Sequence, residues 1–155
     1  VHLCPTESAR ALPDKLIVKM PLETAQMLST AHRILSPHEY CEIKSIYQPA
    51  FVNHPCTIWA RETHENYRWL LEHFVGLCEE YTKRYDKYHA CWIKLWDGLA
   101  QFPKDIKEGE LTKFAQAMPD QYKSDSHIWS YRKYMINEKH YAKWEKGTEK
   151  PTWWK

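Results

Sequence analysis

The chain has 155 residues with a formal net charge of +2, 43% apolar and 27% charged residues, enough for one domain with a core and too little charge for a globally basic nucleic-acid coat. Only four glycines occur, which argues against glycine-punctuated β architectures and phosphate-cradling glycine loops. Aromatic residues reach 14% and many lie beside Lys or Arg, so a nucleic-acid site would have to come from local segregation of charge.

Asp14, after Pro13, predicts the start of a helix whose free N–H groups its side chain can cap. Leu16, Met20, Met27, Ala31 and Leu35 then recur at helical spacing, with Lys19, Glu23, Gln26, Thr30 and Arg33 on the opposite, polar stripe. Pro21 should kink or restart this helix. Residues 36–56 hold Pro37, Pro49 and Pro55 and no sustained period, which predicts a long connection of functional type. From Thr57 to Tyr85 the set Trp59, Thr63, Tyr67, Leu70, Phe74, Leu77 and Tyr81 predicts one long central helix. A further helix is expected over 86–101, stopped by Pro103, and a polar irregular stretch over 102–124. A last helix is expected from Asp125 to Glu145, with Gly147 as its terminator. Nothing alternates convincingly enough for a sheet, so the expectation is an all-α chain, a single compact helical domain over residues 1–155 with long ordered loops.

Five cysteines (Cys4, Cys41, Cys56, Cys78 and Cys91) show no CxxC spacing, and no apolar run approaches membrane-spanning length. A reducing, cytoplasmic setting is expected, with the thiols acting as small buried hydrophobes. His54-Pro55-Cys56 and His89-Ala90-Cys91 are two H-x-C pairs that could assemble a zinc tetrahedron. Residues two apart on a helix do not face each other, and the expectation is no metal.

Two stretches could carry chemistry. The segment from Ile128 to Lys155 interleaves Arg132, Lys133, Lys139, Lys143, Lys146, Lys150 and Lys155 with Tyr131, Tyr134, Tyr141, Trp144, Trp153 and Trp154. Cations attract phosphates and flat rings stack on unpaired bases; the alternative is a solvated helix face with a Trp-rich tail closing the core. The other stretch is the amino end. An α-amine titrates near about 8, so part of it is neutral at physiological pH and can form an imine with an electrophilic sugar carbon. Such chemistry needs a carboxylate to stabilise developing positive charge and move protons, and Glu23 is the candidate. The alternative for Glu23 is an exposed i, i+4 pair with Lys19, contributing roughly 0.2–0.5 kcal/mol.

Three stretches together resemble the pyrimidine-dimer DNA glycosylases of T-even phages and their viral relatives. Asp14 is followed nine residues later by Glu23. EIKSIYQPAFVNHPCTIW leads into WLLEHFVGLCEEYTKRY, similar to the family's extended loop with its FK…P.F and GH elements entering a helix that closes on KR. The tail KPTWWK is close to the family's RPTWYK. The resemblance implies a small all-α enzyme without metal or other cofactor, in which the amine of the first residue is the nucleophile and a first-helix glutamate the essential carboxylate. Carried over, these are Val1 and Glu23, with base removal followed by β-elimination (AP-lyase activity) on damaged duplex DNA, and with a viral origin and a host cytoplasm as the setting. The resemblance also implies DNA contacts from His2, Lys19, Gln26, Arg33, Arg132, Lys133, Lys139 and Lys143, with Trp153 and Trp154 stacking near a displaced base. The family usually begins Thr-Arg where this chain has Val1-His2. It carries a Gln-His pair and two arginines where this chain has Lys15, Leu16, Leu22 and Gln26, departures that bear on dimer recognition. The chain is also similar to a broad group of phage and bacterial proteins sharing DK..VKM.LE.AQ.L, HPC..W.RE...NY.WL and YR.Y...EK...AKW. Two further functions remain open: a non-catalytic nucleic-acid-binding or accessory protein on the same scaffold, and a protein-interaction module using the aromatic tail.

Overall fold

The computed structural model describes residues 1–36 and 45–155. Cys41 and the first part of the expected 36–56 connection lie outside the described residues. Among those described, the chain is all-α: α1 Pro5–Arg10, α2 Asp14–Leu35, α3 Pro55–Ala60, α4 His64–Tyr85, α5 Ala90–Leu99 and α6 His127–Glu138, with a 3-10 turn at Asp120–Tyr122 and no strand. None of these helices is long and apolar enough to cross a membrane.

α4 is the central helix, as its periodicity requires, and packs against α1, α2, α3 and α5. Its apolar side supplies Tyr67 and Phe74, both fully buried, to a core shared with Leu28 of α2 and Leu95 and Leu99 of α5. α1 crosses closely over Gly76, where an added Cβ would come within 3.1 Å of the Thr6 backbone and 3.2 Å of Ala9 Cβ. A second apolar cluster joins Val1, Ala9, Ala11, Leu12, Ile17, Leu77 and Met135, with Trp153 and Trp154 packed on it.

Five features depart from the sequence expectation. The stretch 57–85 is two helices, because Thr63 starts a new one: its hydroxyl accepts from the Asn66 amide at 3.1 Å, while Arg61 is drawn aside to the carbonyls of Val52 and Thr57. α2 runs unbroken through Pro21. Asp14 does not cap it. Its carboxylate instead takes the Arg84 guanidinium at 3.0 Å and the Glu145 amide at 2.7 Å. The last helix ends at Glu138, well before Gly147, because Asp14 captures the tail: its amide donates to the Lys143 carbonyl at 2.9 Å. α1 lies ahead of the first helix that the spacing indicates.

Arg84 organises this corner. Its side chain is completely buried, and it donates to the carbonyls of Leu12 and Arg10, to Asp14 and to Glu80. Thr148 donates to the same Glu80 oxygen at 2.9 Å, so α2, α4 and the tail share one polar knot. The irregular segment after α5 is held by Asn66, which donates to Trp59 O and Thr112 Oγ1 and accepts from the Thr112 amide.

Candidate active site

Val1 begins the chain against α6 and is only 9% exposed. Its amine donates to Ser8 Oγ at 3.1 Å, and its carbonyl accepts from Arg132 Nε at 3.0 Å. The Arg132 guanidinium also lies over the Trp153 ring, 5.4 Å from its centre. Burial pushes the amine down to about 5, and the Arg132 charge adds to the effect. The nitrogen is therefore neutral at pH 7 and keeps its lone pair. Two histidines feel the same surroundings. Burial pulls His73, whose Nδ1 faces the Pro5 carbonyl at 2.9 Å, down to about 4, with the terminal charge contributing. His127 is lowered by burial, then by Lys113 and the terminus.

Glu23 stands on the solvent stripe of α2 and pairs with Lys19 at 2.9 Å; the two side chains are 39% and 63% exposed. Among the described residues no carboxylate lies within ion-pair distance of the Val1 amine, so Val1 and Glu23 are not joined directly. Each helical turn raises Lys15, Lys19 and Glu23 in turn along one face.

That face forms one wall of a groove of about 760 Å³ lined by Lys15, Lys19, Tyr85, Tyr141, Lys143 and Lys146. The Lys15 ammonium lies 4.7 Å from the Tyr141 ring centre. Lys143 pairs with the exposed Glu145 at 3.4 Å. Asp14, at the groove's base, has both carboxylate oxygens engaged by Arg84 and the Glu145 amide, so its charge is compensated there. The groove offers cations and ring faces together, the combination that phosphates and bases require.

The structure brings together only part of the residue set implied by the resemblance. Lys19 and Lys143 meet in the groove, and Gln26 follows Glu23 on the same stripe of α2. His2 is exposed, its Nδ1 accepting from the Cys4 amide. Arg33 is engaged elsewhere: its guanidinium donates to the carbonyls of Ile46 and Tyr47 and docks that segment on α2. Arg132 holds Val1, and Lys139 lies over Tyr134 at 4.9 Å. Lys133 is half-buried on α6. Trp153 and Trp154 pack on the second core, and Trp154 meets Trp144 edge-on with ring centres 5.0 Å apart. Both are partly buried there. Lys15 and Tyr85 line the groove without having been singled out by the spacing, whereas Tyr141 and Lys146 belong to the interleaved C-terminal segment. A Lys15–Lys19 step of four residues was the available signal for the first; nothing in the sequence places Tyr85 or the tail against it.

The H-x-C pairs have a structural explanation. The His54 side chain accepts from the Cys56 amide at 3.2 Å and that of His89 from the Cys91 amide at 3.1 Å, each at a helix start. His2 and Cys4 repeat the arrangement at 3.0 Å before α1. Burial raises the Cys56 and Cys91 thiols, which contact Tyr131 and Tyr47. No group of three or more potential metal ligands occurs among the described residues.

Residues 1–93 match the family model described as pyrimidine dimer DNA glycosylase. No curated protein and no solved structure matches the chain. The match includes Val1, α1 to α4 and Glu23; the tail, Arg132 and the far wall of the groove lie beyond it.

Proposed function

The chain belongs to the pyrimidine dimer DNA glycosylase family, and from that premise we propose that it excises a damaged pyrimidine from DNA with the Val1 amine as nucleophile and Glu23 as the assisting carboxylate. What carries this reading is the family match over residues 1–93, which takes in Val1 and Glu23; the buried α-amine, pushed down to about 5, supports it because such a nitrogen can attack without first losing a proton. The nitrogen attacks C1′, the bond from C1′ to the base breaks, and the base leaves with a proton. The C1′–O4′ bond then opens, O4′ takes a proton, and the imine that forms acidifies the C2′ hydrogen; its removal expels the 3′ phosphate and cuts the strand. Water then releases the amine.

Glu23 has the chemistry to stabilise positive charge on the sugar and to carry the protons in ring opening and elimination. For C1′ to arrive, the contact of Arg132 with the Val1 carbonyl must open. Lys15, Lys19, Lys143 and Lys146 would take the phosphates, in the groove that ends one turn before Glu23. Extruding a nucleotide from a duplex requires a few kcal/mol, which a lesion lowers.

A second reading, nucleic-acid binding without catalysis, draws on two observations: Val1 is 9% exposed and bonded to Ser8, and Glu23 is paired with Lys19. UV-irradiated duplex separates the two. The glycosylase reading expects base release and nicking by the wild type, loss of base release by Glu23→Gln, and retained DNA binding by that variant. Equal and negligible release by both proteins, with binding that weakens steeply in salt, supports the second reading instead. Intact mass fixes the mature terminus, since any residue or acetyl group ahead of Val1 turns the amine into an amide.

A further inference from the structure

Phe51 is the anomaly of the amino-terminal half. It is 74% exposed, the most exposed of the large apolar side chains described, and its backbone has φ +49°. Glycine adopts that conformation freely and a bulky residue rarely does. The other described non-glycine with positive φ, Asp86, ends α4 as its left-handed cap. Phe51 caps no helix.

The turn around it is held firmly. The Ala50 amide donates to Thr30 Oγ1 at 3.0 Å, and the Thr30 hydroxyl donates back to the Ala50 carbonyl at 3.2 Å. Arg61 Nη1 donates to the Val52 carbonyl at 2.9 Å, and the His54 amide to the Phe51 carbonyl at 2.9 Å. An uncommon backbone conformation fixed from both sides, whose one product is an aromatic ring in water, points from strain to function.

Its position points the same way. Thr30 follows Glu23 by seven residues on α2, so it shares Glu23's face about 10 Å further along the axis. The basic groove lies one turn to the other side of Glu23. Cationic groove, carboxylate and exposed ring thus follow one another along a single line, over a length of roughly three stacked base pairs on the Phe51 side.

We propose that Phe51 is a wedge that enters the base stack of duplex DNA beside the lesion and helps to open it. The inference rests on the glycosylase reading and adds to it a residue that distorts the substrate. Apolar side chains inserted between base steps unstack and kink a duplex in just this manner. No covalent step is involved.

The test uses a duplex carrying 2-aminopurine next to a tetrahydrofuran abasic analogue, which binds but cannot form an imine. Wild type and Phe51→Trp should raise the fluorescence of the probe on binding. Phe51→Gly should lose that rise and bind about ten- to a hundredfold more weakly, with an unchanged salt dependence because no cation is removed. It should also melt at or above the wild-type temperature, since glycine relieves the backbone. A Phe51→Gly protein that binds and unstacks like wild type overturns the wedge, as does wild type that binds without a fluorescence change. A Phe51→Gly protein that melts well below wild type overturns it too, by showing that the ring supports the fold. If no protein binds the duplex, the wedge falls whatever the chemistry. Imine trapping on an already abasic site reports separately on Val1 and Glu23, so the two readings fail independently.

Discussion

Replacing Arg84 with Met removes the buried cation at the junction of α2, α4 and the tail while keeping the apolar stem. Arg84 is bonded to Asp14 and Glu80 and to the carbonyls of Leu12 and Arg10, with its own side chain fully buried and the two carboxylates 12% exposed. The variant leaves the nearly buried carboxylates of Asp14 and Glu80 without their buried partner, with the half-exposed Lys83 still 4.0 Å from Glu80. Breaking a buried pair by removing one partner costs about 3–5 kcal/mol. With a urea dependence of roughly 2 kcal/mol per molar for a domain of this size, the midpoint should fall by about 2 M. The loss reaches the site as well, because Asp14 fixes the backbone at Lys143 and Glu145, the far wall of the groove. Equilibrium urea unfolding followed by Trp fluorescence measures the shift, and salt-dependent DNA binding reads the groove. A midpoint change below about 0.5 M would show that water reaches the knot and that the corner is held by packing alone.

Three other perturbations are informative. Acidification should destabilise the chain: His32 and His73 are pulled down to about 4 by burial and the Val1 amine to about 5. The unfolded chain takes up these protons first, so stability is full at about pH 8 and is lost as pH falls through the unfolded values towards pH 4–5; a urea midpoint flat between pH 8 and 5 contradicts this. Gly76→Ala pushes a methyl group against the Thr6 backbone and Ala9; a loss of roughly 1–3 kcal/mol is expected in thermal unfolding, and no loss would mean that α1 moves aside freely. Thr63→Ala removes the cap that divides α3 from α4 and should cost about 1 kcal/mol, while Thr63→Ser should retain the cap; equal melting of the two variants removes the capping argument.

The helices that could be read from the sequence were those with an apolar period, α2, α4, α5 and α6, the last with its end placed too late. Where a boundary is set by a distant partner, the pattern is silent. Nothing near Glu138 says that Asp14 will hold the tail from Lys143 to Glu145 and so end α6 early. Thr63 could have been recognised as a start, but the apolar period runs through it because α3 and α4 bury the same side of the chain. His54 and His89 suggested ligands by spacing alone; their spacing is that of a ring nitrogen accepting the amide two residues on. Among the candidate site residues, the polar stripe of α2 that carries Glu23 and Lys19 was legible from the spacing. The Ser8 partner of the Val1 amine is seven residues away at the start of the chain, but the Arg132 contact that helps to bury it comes from 131 residues further on, and no local pattern carries that.

The central claim is that the leading nitrogen is the nucleophile. Sodium borohydride added to wild-type protein on duplex DNA with a natural abasic site should reduce an imine to a stable covalent adduct, and peptide mapping should place the DNA on Val1. Protein with an acetylated terminus should give none. An adduct mapped to a lysine, or equal trapping by acetylated and free chains, would contradict the assignment and leave Glu23 and the groove to a different chemistry.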